Sequence, residues 1–236
     1  MDTSTLDEAR RVIDELYEYV GVFKIGLELF MNAGPSALKM FQERDLKVFF
    51  DGKFLDIPNT VAKASEAIAR AGVQMFTVHA SGGSKMLRAC SDACNRAAAE
   101  SGLGAPIILG VTVLTSMDQE SLTRELNVGC SVGEQVVALA KLCRENGVTG
   151  IVASAEEVAQ LRTTFGDSMI LVTPGVRPTW ADSNDQSRTV TPAQALRNGS
   201  DYLVIGRPIL SASNKTDAAK RILAEMEEAN ASGARL

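Results

Sequence analysis

The chain has 236 residues, a formal net charge of −5, and 45% hydrophobic against 22% charged residues. This is an ordinary globular composition, long enough for one large domain, and its acidic balance argues against a nucleic-acid or anionic-membrane binder. No apolar run approaches the ~18 residues of a membrane span and the N-terminus is not signal-like; Cys90, Cys94, Cys130 and Cys143 are too few for a disulfide scaffold, which points to a reducing cytoplasm.

A predicted helix over Thr5–Tyr19 comes first, with Leu6, Val12, Ile13, Leu16 and Val20 as its apolar stripe. Apolar strand candidates follow at Val22–Gly26, Leu46–Asp51, Gln74–Ala80, Pro106–Val113, Gly150–Ser154, Met169–Gly175 and Tyr202–Pro208. Most are continuously apolar, which predicts parallel strands covered by helices. Thr5 with Glu8, Ser131 with Glu134 and Ser154 with Glu157 have capping-box spacing, and Thr191 precedes a first-turn proline. Gly72, Gly102, Gly147 and Gly199 mark helix stops.

This alternation, without a linker, predicts a single α/β domain over residues 1–236, a (β/α)₈ TIM barrel. The rival open sheet lacks both of its common nucleotide-loop signatures. Only seven strands can be read, and the opening helix lacks the strand that should precede it. Met1-Asp2 stands where that strand should end. The expectation is therefore a first strand missing or truncated at the N-terminus, with the natural chain beginning roughly ten residues earlier.

In a barrel, chemistry gathers at the C-terminal strand ends. The segment Val48-Phe-Phe-Asp-Gly-Lys-Phe-Leu-Asp-Ile-Pro-Asn-Thr60 is the most informative. Strand alternation puts Phe49, Asp51 and Lys53 on one face, so Asp51 and Lys53 point into the barrel mouth. Asp56 lies in the turn before the next helix, because Pro58 cannot extend a ladder. Lys24 on the neighbouring strand reaches the same place. Two lysines and two aspartates then make an array of near-zero net charge; a structural ion-pair network at the rim is the competing reading.

The last two loops carry the second signal. Phosphate groups in barrels are commonly held after strands seven and eight. Here Arg177, Gln186, Arg188, Gly206 and Arg207 supply guanidinium forks and backbone N–H groups. Pro174–Val190 is a long polar loop of the kind that carries function. Its Trp180 is expected to pack on its own loop. His79, the sole histidine, lacks the partners of a metal site and reads as a supporting hydrogen-bonding group. Cys90 and Cys94 share a helix face and read as buried small residues.

Taken together, Asp51-Gly-Lys53-Phe-Leu-Asp56-Ile-Pro-Asn-Thr60 resembles the signature of the orotidine 5′-monophosphate decarboxylase family. The likeness extends through Lys24-Ile-Gly-Leu-Glu-Leu-Phe30, Val78-His-Ala-Ser-Gly-Gly83, Val111-Thr-Val-Leu-Thr-Ser116, Thr173-Pro-Gly-Val-Arg-Pro178, Asp185-Gln186 and Val204-Ile-Gly-Arg-Pro208. The bacterial, single-function branch fits best. The resemblance implies a homodimeric barrel, without metal or organic cofactor, that converts orotidine 5′-monophosphate to UMP. It makes Lys53 the proton donor to C6 of the pyrimidine, sets Asp51 against the substrate carboxylate, and has Lys24 hold the ribose and orient Asp51. It sends Asp56 and Thr60 into the partner's site, puts Thr115 on the pyrimidine edge, and gives the phosphate to Arg177, Gln186, Gly206 and Arg207. Asp2 matches a ribose-binding aspartate.

Two other readings stand beside this one. A related phosphosugar decarboxylase or aldolase-type barrel would use Mg²⁺ and a further carboxylate on the neighbouring strand, where this chain has Val-His-Ala-Ser. A non-catalytic phosphate-binding remnant, crippled by its missing strand, is the other.

Overall fold

The structure is a computed structural model that describes residues 1–181 and 190–231. Its elements run α1 (Leu6–Leu16), β1 (Phe23–Ile25), α2 (Leu27–Ala33), α3 (Ser36–Gln42), β2 (Val48–Phe54), α4 (Pro58–Arg70), β3 (Met75–His79) and α5 (Gly83–Glu100). They continue with β4 (Ile107–Val111), α6 (Gln119–Arg124), α7 (Val132–Glu145), β5 (Gly150–Val152), α8 (Ala155–Phe165), β6 (Ile170–Thr173), α9 (Pro192–Arg197), β7 (Tyr202–Leu203), α10 (Arg207–Leu210) and α11 (Lys215–Ala231).

Among the described residues, seven strands form one sheet in the order β1 to β7, and every adjacent pair is parallel. Side chains alternate across it as a two-residue period requires. Phe49, Met75, Leu109 and Val172, from β2, β3, β4 and β6, meet in one apolar cluster on the inner face. Val48, Phe50, Phe76, Val78, Ile108 and Ile151 turn outward and join the helices in the larger core. Side chains of non-adjacent strands can share an inner layer only if the sheet curls, so this is a TIM-barrel-type α/β fold.

Each helix buries one stripe against the sheet. Ala9, Val12, Ile13 and Leu16 of α1 follow the 3.6-residue period, and Asp7 and Glu8 favour its positive N-terminus. Of the three expected capping boxes, only that of α7 is complete, with Ser131 and Glu134 bonded reciprocally. Thr5 caps α1 through the Glu8 N–H, but the Glu8 carboxylate accepts from the Ser4 N–H instead of closing the box. At α8, Ser154 bonds the Glu157 carboxylate and makes no side-chain cap. The last strand is shorter than expected, Tyr202–Leu203, because Gly206 leads into α10 with Pro208 in its first turn.

The ends of the sheet are β1 and β7. Met1 and Asp2 lie beside β1, where the Met1 amino group donates to the Lys24 carbonyl. A cavity of about 290 Å³, lined by Phe23 of β1, Leu203 of β7, Leu16 of α1 and Ile222 of α11, opens between the two edges.

Candidate active site

The strands of a parallel barrel end together, so the polar groups at their C-termini converge. Lys24 stands opposite Phe49 in the β1–β2 ladder. Asp51, two positions further along β2, is on the same inner face and one step closer to the mouth. The Lys24 ammonium accordingly reaches Asp51 Oδ2 at 3.4 Å.

Lys53 arrives by a less regular route. Phe50 pairs with Phe76 and Phe54 pairs with Val78, so Asp51, Gly52 and Lys53 stand opposite Thr77 alone. This is a bulge of the type that re-aims side chains beside functional sites. Lys53 takes a left-handed backbone conformation at φ 47°, which for a residue with a Cβ costs roughly 1–2 kcal/mol. Gly52 makes room for the bend: a Cβ there would stand 2.4 Å from the Phe50 ring. Phe50 and Phe54 anchor the outer side, Phe50 meeting Phe30 edge-on and Phe54 packing at a tilt against Phe76. The result is Lys53 Nζ donating to Asp51 Oδ2 at 2.8 Å.

Asp51 is therefore a carboxylate between two ammonium groups, with its side chain 14% exposed. Burial opposes its ionisation. The charge of Lys24, the hydrogen bond and charge of Lys53 and the Thr77 hydroxyl outweigh burial, and the carboxyl is held below the ordinary carboxylate range. His79, at the end of β3, is shifted the other way for a cation: burial and the Lys53 charge lower its pKa, against a smaller opposing pull from Asp51. Near neutral pH it therefore adds no charge to the array.

The remaining expected residues divide into those the fold brings together and those it does not. Asp2 Oδ1 lies 4.0 Å from Lys24 Nζ. Its carboxylate fits between two glycines, where added Cβ atoms at Gly26 and Gly206 would stand 3.8 Å and 3.6 Å from its oxygens. Asp2 thus links the lysine array to Gly206, which ends the loop after β7 and precedes Arg207 at the start of α10. Arg177 is buried; its N–H donates to the Val190 carbonyl at 2.8 Å, and a Val176–Val190 bridge closes the neck of the loop after β6. Gln186, with Asp185 and Arg188, lies outside the described residues. Trp180 packs against the main core under the Arg221 guanidinium of α11, 4.3 Å from its ring centre; most of its own loop lies outside the described residues. Thr115 is half-buried in the turn after β4.

Asp56 does not join the array of its own chain. It is exposed, and its carboxylate accepts from the Ile57 N–H at 2.6 Å. Residues 55–60 are all exposed, with Thr60 in the first turn of α4. The charge-balanced set of four is, within one chain, Asp51 with Lys24 and Lys53, and Asp2 at its margin.

Thr77 is the residue that the sequence reading missed. It interrupts the apolar run of β3, and the period-two rule turns it inward between Met75 and His79. Its hydroxyl accepts from the Lys53 N–H at 2.9 Å and donates to Asp51 Oδ1 at 3.0 Å. The cysteines behave as expected: burial pushes Cys90 up to about 11, and Cys94 and Cys143 up to about 12. Among the described residues, no three His, Cys, Asp or Glu side chains gather as a metal site, and no helix is long and apolar enough to cross a membrane.

A profile of the orotidine 5′-phosphate decarboxylase / HUMPS family matches residues 1–222. The chain belongs to this family. It is 48% identical to the orotidine 5′-phosphate decarboxylase of Moorella thermoacetica, over 96% of this chain and 90% of that protein. It is 45% identical to that of Heliobacterium modesticaldum, over 97% and 94% of the two chains. Among solved structures, the orotidine 5′-phosphate decarboxylase of Lactobacillus acidophilus superposes with a TM-score of 0.85 at 36% identity, covering 96% of each chain. The signature expected of the orotidine 5′-phosphate decarboxylase family thus runs from the bulged end of β2 into the first turn of α4, and the described part of its second set of motifs follows β6 and β7.

Proposed function

We infer that the protein is an orotidine 5′-phosphate decarboxylase, forming UMP and CO₂ in pyrimidine biosynthesis. The observation that carries this reading is the Asp51 carboxylate held between the ammonium groups of Lys24 and Lys53. Breaking the bond from C6 to the carboxylate leaves the electron pair on C6. The Lys53 ammonium faces that developing charge and gives C6 its proton, and the resulting amine recovers a proton from solvent. Departure of CO₂ also removes the negative charge beside Asp51. Both effects grow along the reaction coordinate, which is the condition for lowering the barrier rather than merely tightening binding.

Asp2 and Lys24 would meet the ribose, Thr115 the pyrimidine edge, and Arg177, Gln186, Gly206 and Arg207 the phosphate. Phosphate binding far from C6 can drive closure of the site and expulsion of water. The residues that act on C6 come from the chain itself and no cofactor enters the scheme. A Mg²⁺-dependent relative would need a further carboxylate at the end of β3, where His79 stands.

The working unit in this reading is a cytoplasmic homodimer of one-domain chains. Exposed apolar residues gather in the segments that follow the mouth ends of three strands: Leu27 and Met31 in α2, Leu55 and Ile57 after β2, and Leu114 after β4. Met31 is 77% and Ile57 66% exposed, and a partner's surface would remove both from water. Asp56 and Thr60, on the same exposed segment, would then enter the partner's site. The direct test is UMP formation from orotidine 5′-monophosphate by the purified chain, followed by absorbance. No turnover by a folded dimer would overturn the reading and favour a non-catalytic phosphate binder.

A further inference from the structure

We propose that Thr77 is a positioning residue for this site, its hydroxyl fixing both the rotation of the Asp51 carboxylate and the backbone bend that aims Lys53. The proposal deepens the reading of Asp51 and Lys53 given above and rests on it.

Thr77 is 1% exposed, so water cannot substitute for its hydrogen bonds. A hydroxyl has one proton to give, and this one goes to Asp51 Oδ1 at 3.0 Å. That leaves Oδ2 for the two cations, Lys53 at 2.8 Å and Lys24 at 3.4 Å. Without the Oδ1 anchor, the carboxylate could swing about its last torsion, a soft one in aspartate. The negative charge would then no longer be held where the substrate carboxylate must approach it.

The acceptor side of the same hydroxyl serves Lys53. Three residues of β2 face Thr77 alone, so the ladder cannot satisfy their backbone groups in the usual way. The Thr77 oxygen takes the Lys53 N–H at 2.9 Å, which stabilises the left-handed turn at φ 47°. Threonine suits the task because its branched Cβ restricts χ1, so the hydroxyl is aimed before substrate arrives. A single oxygen therefore couples the base of the acid, Lys53, to the orientation of its counter-ion.

The test compares Thr77→Val and Thr77→Ala, which lack the hydroxyl, with Thr77→Ser, which keeps it; the Ala and Ser pair carries the comparison if the Val protein does not fold. Each is assayed for kcat and KM with orotidine 5′-monophosphate and for binding of UMP, which lacks the carboxylate. The hydroxyl-free variants should lose about 30-fold in kcat, ~2 kcal/mol, with KM and UMP affinity within about threefold of the parent. Thr77→Ser should recover most of the loss. Turnover within about twofold of the parent in the hydroxyl-free variants would overturn the proposal. So would a Ser variant as impaired as the Val variant, or equal losses of kcat and UMP affinity, since a merely structural threonine would behave in those ways. Lys53→Ala is measured alongside. If it retains activity, the assignment of the acid fails and the proposal falls with it; if it is inactive while the Thr77 variants are normal, the proposal alone is wrong.

Discussion

Lys24 and Asp51 are diagonal neighbours across two parallel strands: Lys24 stands opposite Phe49, and its ammonium reaches up one step to Asp51 Oδ2 at 3.4 Å. The contact therefore depends on the register of β1 and β2, and on Asp51 staying ionised between two cations.

That dependence sets a pH signature for stability. Asp51 has a depressed pKa in the folded chain, with burial opposing and Lys24, Lys53 and Thr77 prevailing. Its contribution is present above the unfolded value, about 3.9, and is lost as pH falls through the lower folded value. Asp51→Asn should cost about 1–2 kcal/mol at pH 7, because it removes the carboxylate that Lys24 and Lys53 share and leaves them with the more distant Asp2, 4.0 Å from Lys24. The difference between parent and variant should shrink as pH drops below about 4. Half-buried His79 also titrates on acidification, and Asp51 raises its pKa, so the same comparison in a His79→Gln background removes that contribution. Urea unfolding at pH 7, 5 and 3.5 measures this; a gap that stays constant would show that Asp51 is not an ionised anchor.

Lys53→Ala should abolish turnover while leaving the fold intact. A group that both neutralises the developing charge and supplies the proton should be worth at least ~10⁴-fold, about 5.5 kcal/mol. Retention of more than about a tenth of parental kcat would place the proton source elsewhere.

Arg207→Ala separates phosphate binding from chemistry. Its effect should fall on the phosphorylated substrate and hardly touch the slow reaction of the nucleoside without phosphate. Equal losses for both substrates would assign Arg207 to support of the fold or the pyrimidine site.

The exposed position of Asp56 calls for a mixing experiment. Asp56→Ala and Lys53→Ala proteins, each inactive, should recover activity when their subunits exchange, because a hybrid dimer holds one site with both lesions and one with neither. Demonstrated exchange without recovery would return Asp56 to its own chain's site.

Thiol chemistry offers an independent check on the core. Cys90, Cys94 and Cys143 are buried, with pKa values raised to between about 11 and 12, while Cys130 is half-exposed. A disulfide reagent at pH 8 should therefore modify Cys130 in the native protein and all 4 cysteines after denaturation. Rapid reaction of the buried three would mean that the packing around α5 and α7 is looser than described.

The fold was legible because its signals are redundant: apolar runs without alternation, helices with starts and stops, and polar groups confined to strand ends. Lys53 was expected on the face that it in fact reaches through a bulge, and Lys24 and Asp51 could be placed together by strand period alone. Two things could not. The bulge at residues 51–53 depends on Gly52 yielding space to the Phe50 ring, a three-dimensional fit with no sequence period. Thr77 was hidden because one threonine in an apolar strand is unremarkable until its two partners are known. The cap at Ser154 was misread for a related reason: the spacing of a capping box does not decide whether serine bonds backbone or the nearby carboxylate.

The sheet order has a consequence for how the chain folds. Every strand pairs with its successor in sequence, so ladders can form progressively as the polypeptide emerges from the ribosome. The contacts that join the two ends are of another kind: Lys215 on α11 reaches the Glu15 carboxylate of α1 across a sequence separation of 200, and Thr216 donates to the Glu15 carbonyl. Loop entropy grows by about 0.6 kcal/mol per doubling of length, so bringing these ends together directly is costlier than forming any neighbouring strand pair. Docking of α11 on α1 is thus the natural last event of assembly, and a destabilised α1–α11 seam should speed unfolding more than it slows folding.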